Sequence, residues 1–209
     1  MNALNGPLLI VEDTPDTLNL LKVTLEFKGY RVVTARNGRE ALDAIQKERP
    51  AVIITDILMP QMDGFSLVQR LRINPETRDI PVVFLSATYV APEDKQFAMT
   101  LGASRFIEKP IDTDELLKTI AELFAKGAPK TSPPLEERKF YEGYKERLEI
   151  KLQQKVIQIS RTERLLETLS EEEKPPFKTD LRQAISEREE IEQELDQIRK
   201  FLKQNTLST

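Results

Sequence analysis

The sequence predicts an α/β domain built on a doubly wound, five-stranded parallel sheet, followed by an all-α helical hairpin with coiled-coil-like spacing. Three observations carry this reading. Short Val- and Ile-rich runs alternate with amphipathic stretches over the first 126 residues, the rhythm of repeated βα units. The segment Gly127-Ala128-Pro129-Lys130-Thr131-Ser132-Pro133-Pro134 then ends that rhythm. Beyond it the charge density rises by half, with 33 charged residues in 1–126 and 33 in 127–209. The expected organisation is a packed domain over 1–126, a linker over 127–134, and a two-helix antiparallel hairpin over 135–209.

The apolar runs are Leu8–Val11, Tyr30–Thr34, Ala51–Thr55, Pro81–Leu85 and Arg105–Ile107. They are brief and mostly apolar on both faces, as strands buried in a parallel sheet are. Helical patterns lie between them at about 15–28, 37–48, 64–73, 92–101 and 112–126. Pro15 suits a first helical turn, with Thr14 as the expected cap. Gly64 after Asp63 opens the third helix, and Asp112 with Glu115 forms a capping-box-like start for the fifth.

In the tail, Ser132 is placed to cap a helix that starts on Pro133 and Pro134 and runs to about Ser170. Leu148, Leu152, Ile159, Leu166 and Leu169 lie along one side of it. Glu171-Glu172-Glu173-Lys174-Pro175-Pro176 reads as an interruption, and a second helix is expected from about Thr179 to Gln204. Its apolar positions Leu181, Ala184, Ile191, Leu195, Ile198 and Leu202 follow 3,4 heptad spacing, with Arg188 in the remaining slot. A lone hairpin of this kind is marginal. The stripe is therefore assigned to dimerisation, giving a two-fold four-helix bundle. Phe140, Tyr141 and Tyr144 are candidates to pack back on the first domain.

Composition narrows the chemistry. With no cysteine, thiolate metal sites and cysteine nucleophiles are excluded, and with no histidine so are Ser-His-Asp catalysis and a phosphohistidine carrier. The net charge of -4 and the lack of a basic region disfavour nucleic-acid wrapping. No apolar stretch approaches a membrane span, and the N-terminus lacks a basic leader, so a cytoplasmic protein without membrane or nucleic-acid partners is expected.

Polar residues collect where the strands end: Glu12 and Asp13 after the first, Asp56 after the third, Ser86 after the fourth and Lys109 after the fifth. Open α/β sheets bind ligands beyond the carboxyl ends of their strands. Three converging carboxylates repel unless one is protonated or a divalent cation lies among them. Glu12, Asp13 and Asp56, with the backbone carbonyl of Leu58 as a further ligand, form such an oxygen set, suited to Mg²⁺ or Ca²⁺. Phosphoryl transfer to a carboxylate suits this cluster, with Asp56 as phosphoacceptor, Lys109 as cation and Ser86 as donor to the phosphoryl oxygens. Leu58 and Thr88 flank that position without a charged group to orient water, which predicts a long-lived acyl phosphate.

On the segments LLIVEDTPDTLNLL, AVIITDILMPQMDGFSLVQRLR, IPVVFLSAT and GASRFIEKPID, residues 7–126 resemble the receiver domain of two-component response regulators. The resemblance spans five spaced elements in order. It implies the flavodoxin-like strand order 2-1-3-4-5, Mg²⁺, and a sensor histidine kinase that donates to Asp56. It also implies a switch in which Ser86 moves toward the phosphoryl group and Phe106 turns inward, and a cis peptide between Lys109 and Pro110. Phe106 stands where the family often has Tyr.

The function expected is that of a phosphorylation-controlled signalling protein, not an enzyme beyond the chemistry at Asp56. Its helical dimerisation or partner-docking module stands in place of a DNA-binding domain, with a homodimer and a downstream protein partner. The alternatives are a transcription regulator with an atypical or missing output domain, or a phosphotransfer or scaffold protein with a kinase-like helical bundle. Against the first, the tail carries 16 basic and 17 acidic residues and no short helix-turn-helix unit.

Overall fold

The computed structural model describes residues 6–86, 92–126 and 135–204. The expected linker 127–134, with Ser132, Pro133 and Pro134, and Thr88 lie outside them. The chain divides into two compact units, Met1–Leu135 and Glu136–Thr209.

In the first unit β1 (Leu8–Val11), α1 (Pro15–Phe27), β2 (Val32–Ala35), α2 (Gly38–Lys47), β3 (Val52–Asp56) and α3 (Gly64–Ile73) follow in turn. They are succeeded by β4 (Val82–Ser86), α4 (Pro92–Thr100), β5 (Arg105–Glu108) and α5 (Thr113–Lys126). All strand pairs are parallel, in the order β2-β1-β3-β4-β5. This is the flavodoxin-like sheet.

Every residue of β1, β3 and β4 is buried, which explains their unbroken apolar runs. On one face Leu8, Ile10, Val52, Ile54, Val83 and Leu85 pack with Leu21 and Leu25 of α1 and with Leu116 and Ile120 of α5. Each such side chain contributes about 1.5–3 kcal/mol of burial.

Several boundaries differ from the sequence reading for identifiable reasons. β2 starts at Val32 instead of Tyr30, because Gly29, at φ +88°, and Tyr30 close the end of α1. Their amides donate to the Glu26 and Leu25 carbonyls at 2.9 and 3.1 Å, a left-handed helix stop that glycine alone adopts cheaply. Asp56 and Ser86 do not follow their strands but end them, paired in register with Leu85 and Glu108. The ladder therefore holds the backbone of both. Thr14 makes no side-chain cap, whereas Asp112 accepts from the amides of Asp114 and Glu115 at 2.9 and 3.2 Å.

The second unit is two long helices, α6 (Glu137–Thr168) and α7 (Lys174–Gln204). Tyr141 meets Phe201, the Tyr144 hydroxyl donates to Glu194 at 2.8 Å, and Lys155 pairs with Glu187 at 2.6 Å. Contacts that ascend one helix while descending the other make the pair antiparallel. α7 begins five residues before the expected Thr179. Pro175 and Pro176 fall in its first turn, where a missing N–H costs nothing. Ahead of them the Ser170 amide donates to the Glu173 carboxylate at 3.1 Å, half of a capping box.

Ala184, Ile191, Leu195 and Ile198 of α7 are buried within this single chain, as are Leu148 and Ile159 of α6. Leu181 and Leu202 are half-buried at the ends of the stripe. The stripe assigned above to dimerisation is thus covered by the neighbouring helix and leaves little surface for a second chain. Arg188 is half-buried, with its Nε buried, and pairs with Glu189 and Glu192 on its own helix.

Leu195 is 1% exposed, so Leu195→Glu buries an unpaired charge at a cost of several kcal/mol. Circular dichroism should show loss of about the helix contributed by α6 and α7, while near-ultraviolet signals of the first unit persist. Retention of full helicity would contradict this packing.

Candidate functional site

The site lies at the carboxyl ends of β1, β3, β4 and β5. Val11 pairs with Thr55, so Glu12 and Asp13 leave β1 beside Asp56 at the end of β3. Carboxylate oxygens of Glu12, Asp13 and Asp56 all lie within 4.8 Å of one another. The cis peptide between Lys109 and Pro110 follows β5. The Lys109 amide donates to the Ser86 carbonyl at 2.6 Å. Its ammonium reaches back across the sheet to Glu12 Oε2 at 2.7 Å and Asp56 Oδ1 at 3.0 Å.

Two further contacts of these oxygens are local. The Leu58 amide donates to Asp56 Oδ2 at 3.2 Å, and the Thr14 amide to Glu12 Oε1 at 3.2 Å. Glu12 is almost wholly buried, Asp56 is 8% exposed, and Asp13 faces solvent. Burial pushes the Asp56 carboxyl above its ordinary range; Lys109 opposes that rise and Glu12 adds to it. Burial and the Glu12 charge likewise raise Asp13. For Lys109, burial pulls the ammonium down, but hydrogen bonds and attraction from Glu12 and Asp56 outweigh it and leave it raised.

Three carboxylates against one ammonium leave two negative charges uncompensated on hard oxygen donors. That donor set fits a divalent cation such as Mg²⁺.

Ser86 is buried at the end of β4. Phe106 is half-buried on β5, opposite Phe84 of β4, and the Lys95 ammonium lies 6.0 Å from its ring centroid. It is therefore not a plain core aromatic.

Gly64 carries more than the helix-opening role its sequence position suggests. A Cβ there would stand 2.3 Å from the Asp56 carbonyl oxygen and 3.0 Å from the Phe84 ring. Asp63 caps α3 by accepting from the Ser66 amide at 2.8 Å, which holds Gly64 against the acidic strand end. The missing side chain is thus a requirement of the site's packing.

A family model described as the response regulator receiver domain matches residues 8–121. The chain belongs to the response regulator receiver family. The Protein PilH of Pseudomonas aeruginosa is 36% identical over 118 residues, covering 56% of this chain and 97% of that relative. Response regulator Rre1 of a Synechocystis strain is 36% identical over 140 residues, covering 66% of this chain and 60% of that relative. The solved receiver domain of a signal transduction histidine kinase from Syntrophus aciditrophicus superposes with a TM-score of 0.53 at 38% identity, over 64% of this chain and 99% of that one. Most of what these share with this chain is the receiver, and α6 and α7 lie beyond the family match.

Because its folded carboxyl is raised, ionised Asp13 opposes folding of the receiver at neutral pH, and that cost disappears once acid protonates it in both states. In a divalent-free buffer, Asp13→Asn should therefore raise the thermal midpoint at pH 7. The gain should vanish below pH about 4. A lower midpoint at pH 7 would mean that the carboxylates are not in repulsive contact.

Proposed function

We propose that this chain is a phosphorylation-controlled signalling protein in which Asp56 accepts a phosphoryl group from a sensor histidine kinase. The α6–α7 hairpin serves as an association and docking module where other regulators carry a DNA-binding domain. The observation that carries the reading is the Asp56 carboxylate at a strand end, 3.0 Å from the Lys109 ammonium and clustered with Glu12 and Asp13.

The chemistry is a displacement at phosphorus. An Asp56 oxygen forms the new O–P bond as the P–N bond to the donor imidazole breaks, and the imidazole keeps the electron pair. A Mg²⁺ ion held by Glu12, Asp13, Asp56 and the Leu58 carbonyl would neutralise charge between the acceptor and the incoming group. Lys109 already lies beside the attacking carboxylate and can shift its pairing to a phosphoryl oxygen. The Ser86 hydroxyl donates to another, and Phe106 turns inward as Ser86 moves. No other covalent chemistry is assigned.

A protein donor also suits the surface nearby. Leu20, Val23 and Phe27 are exposed on one side of α1, the helix that starts just after Asp13, and such apolar strips mark contact sites. The exchange is assigned to the cytoplasm. At 32 and 31 residues, α6 and α7 suit docking of other proteins better than a helix-turn-helix does.

Incubation with Mg²⁺ and a small phosphodonor should yield one hydroxylamine-sensitive phosphoryl group per chain by intact mass, and Asp56→Asn should abolish it. Full labelling of the Asn variant would move the acceptor elsewhere. The Leu58 side chain, 43% exposed, offers attacking water no polar group. Leu58→Asn should accordingly shorten the acyl-phosphate half-life several-fold, and an unchanged or slower decay would remove Leu58 from the control of lifetime.

A further inference from the structure

With the α7 stripe covered inside one chain, α6 presents a second apolar face. Ile150, Ile157 and Leu165 are 37%, 51% and 40% exposed. Spaced by seven and eight residues, they stack on one side of a 3.6-residue helix, opposite the side that buries Leu148 and Ile159. Gln154 and Arg161 complete that line.

We propose that this outer face of α6 is a self-association surface, paired antiparallel with α6 of a second copy about a two-fold axis between Ile157 and Gln158. The proposal rests on reading the hairpin as an association module, and it names the face.

Three features select a second copy as the occupant. The first is register: an isologous interface needs a self-complementary pattern. One antiparallel register sets Ile150 against Leu165, Gln154 against Arg161 and Ile157 against Gln158 of the second copy, with the same pairs repeated across the axis. The second is shape. A shallow concavity on this face is lined by Gln154, Ile157, Gln158, Arg161 and Thr162. The first four stand at i, i+3, i+4 and i+7, the four-residue hole that receives a knob in helix packing, and here the knob is Ile157 of the other copy.

The third is charge. From Gln153 to Ser160 the only charged residue is Lys155, in a tail where 33 of 83 residues are charged. Lys155 is already paired with Glu187 on α7. Depletion of charge at the centre of a patch marks an interface core. Arg161 has no ion pair among the described residues, and the antiparallel register lets its guanidinium donate to the Gln154 amide oxygen. A parallel register would oppose two Arg161 side chains instead.

A single helix face lies at the small end of specific interfaces, so a weak dimer is expected. The natural sequence has no cysteine, which makes single cysteines in the full chain clean reporters. Under mild oxidation Gln158→Cys should cross-link to itself. Ile150→Cys should not, because its copy lies about 22 Å away along the helix, yet it should cross-link when mixed with Leu165→Cys. Ile157→Glu should weaken dimerisation by ~10-fold or more in sedimentation equilibrium, with helicity, and the thermal midpoint at dilutions where both chains are monomeric, unchanged because Ile157 is half-exposed.

Self-cross-linking of Ile150→Cys as fast as Gln158→Cys, an unaltered dimer with Ile157→Glu, or a wild-type monomer at hundreds of micromolar would each overturn the proposal. All measurements are repeated without phosphodonor and in Asp56→Asn. The cross-linking pattern should persist there, so failure of the interface is read separately from failure of phosphoryl transfer.

Discussion

The receiver depends on one electrostatic arrangement, the Lys109 ammonium held between Glu12 and Asp56. Two largely buried carboxylates at adjacent strand ends would repel at a cost the fold could not easily bear. The lysine turns that repulsion into two short ion pairs and, through them, ties β5 to β1 and β3 across the sheet. Because a third carboxylate, Asp13, stays outside the pair, a divalent charge deficit remains at the open edge. The lysine that lets the two buried carboxylates fold together thus leaves, with Asp13, a net negative oxygen cluster suited to a divalent cation.

Much of this was legible in the chain. Strands buried on both faces announce themselves as unbroken apolar runs, and the acidic pair, Asp56, Ser86 and Lys109 fall at their ends by simple counting. The strand order was not available from periodicity and came only through family resemblance. The bond from Lys109 to Glu12 was also out of reach, since it joins side chains 97 residues apart and depends on how each is turned. Gly64 looked like ordinary helix punctuation because the atom that excludes a side chain, the Asp56 carbonyl oxygen, is adjacent only in the folded sheet.

The tail shows the complementary limit. A heptad stripe states that a helix has an apolar partner and says nothing of whose helix it is. Here the partner is intramolecular, and the Ser170–Glu173 pair that permits the tight return was present in the sequence as a Ser-x-x-Glu signature. Once Ala184, Ile191, Leu195 and Ile198 face α6, any association would have to use surface the hairpin does not consume. The less regular helix, α6, carries such surface at Ile150, Ile157 and Leu165.

Between the site and the chain's exit from the receiver runs α3. Its first residue, Gly64, touches the Asp56 carbonyl, and Gln69, a turn and a half later, donates from Nε2 to the Leu135 carbonyl at 3.2 Å. The Gln69 Oε1 atom is buried without a hydrogen-bond partner. A neutral hydrogen bond contributes only about 0.5–1.5 kcal/mol, so the one to Leu135 is a modest hold. Contacts carry a signal only where an element has two arrangements of similar energy. The sheet, with its fully paired ladder, is not such an element. Gln69 instead holds Leu135 by a single neutral hydrogen bond, which can break without cost to the strand ladder.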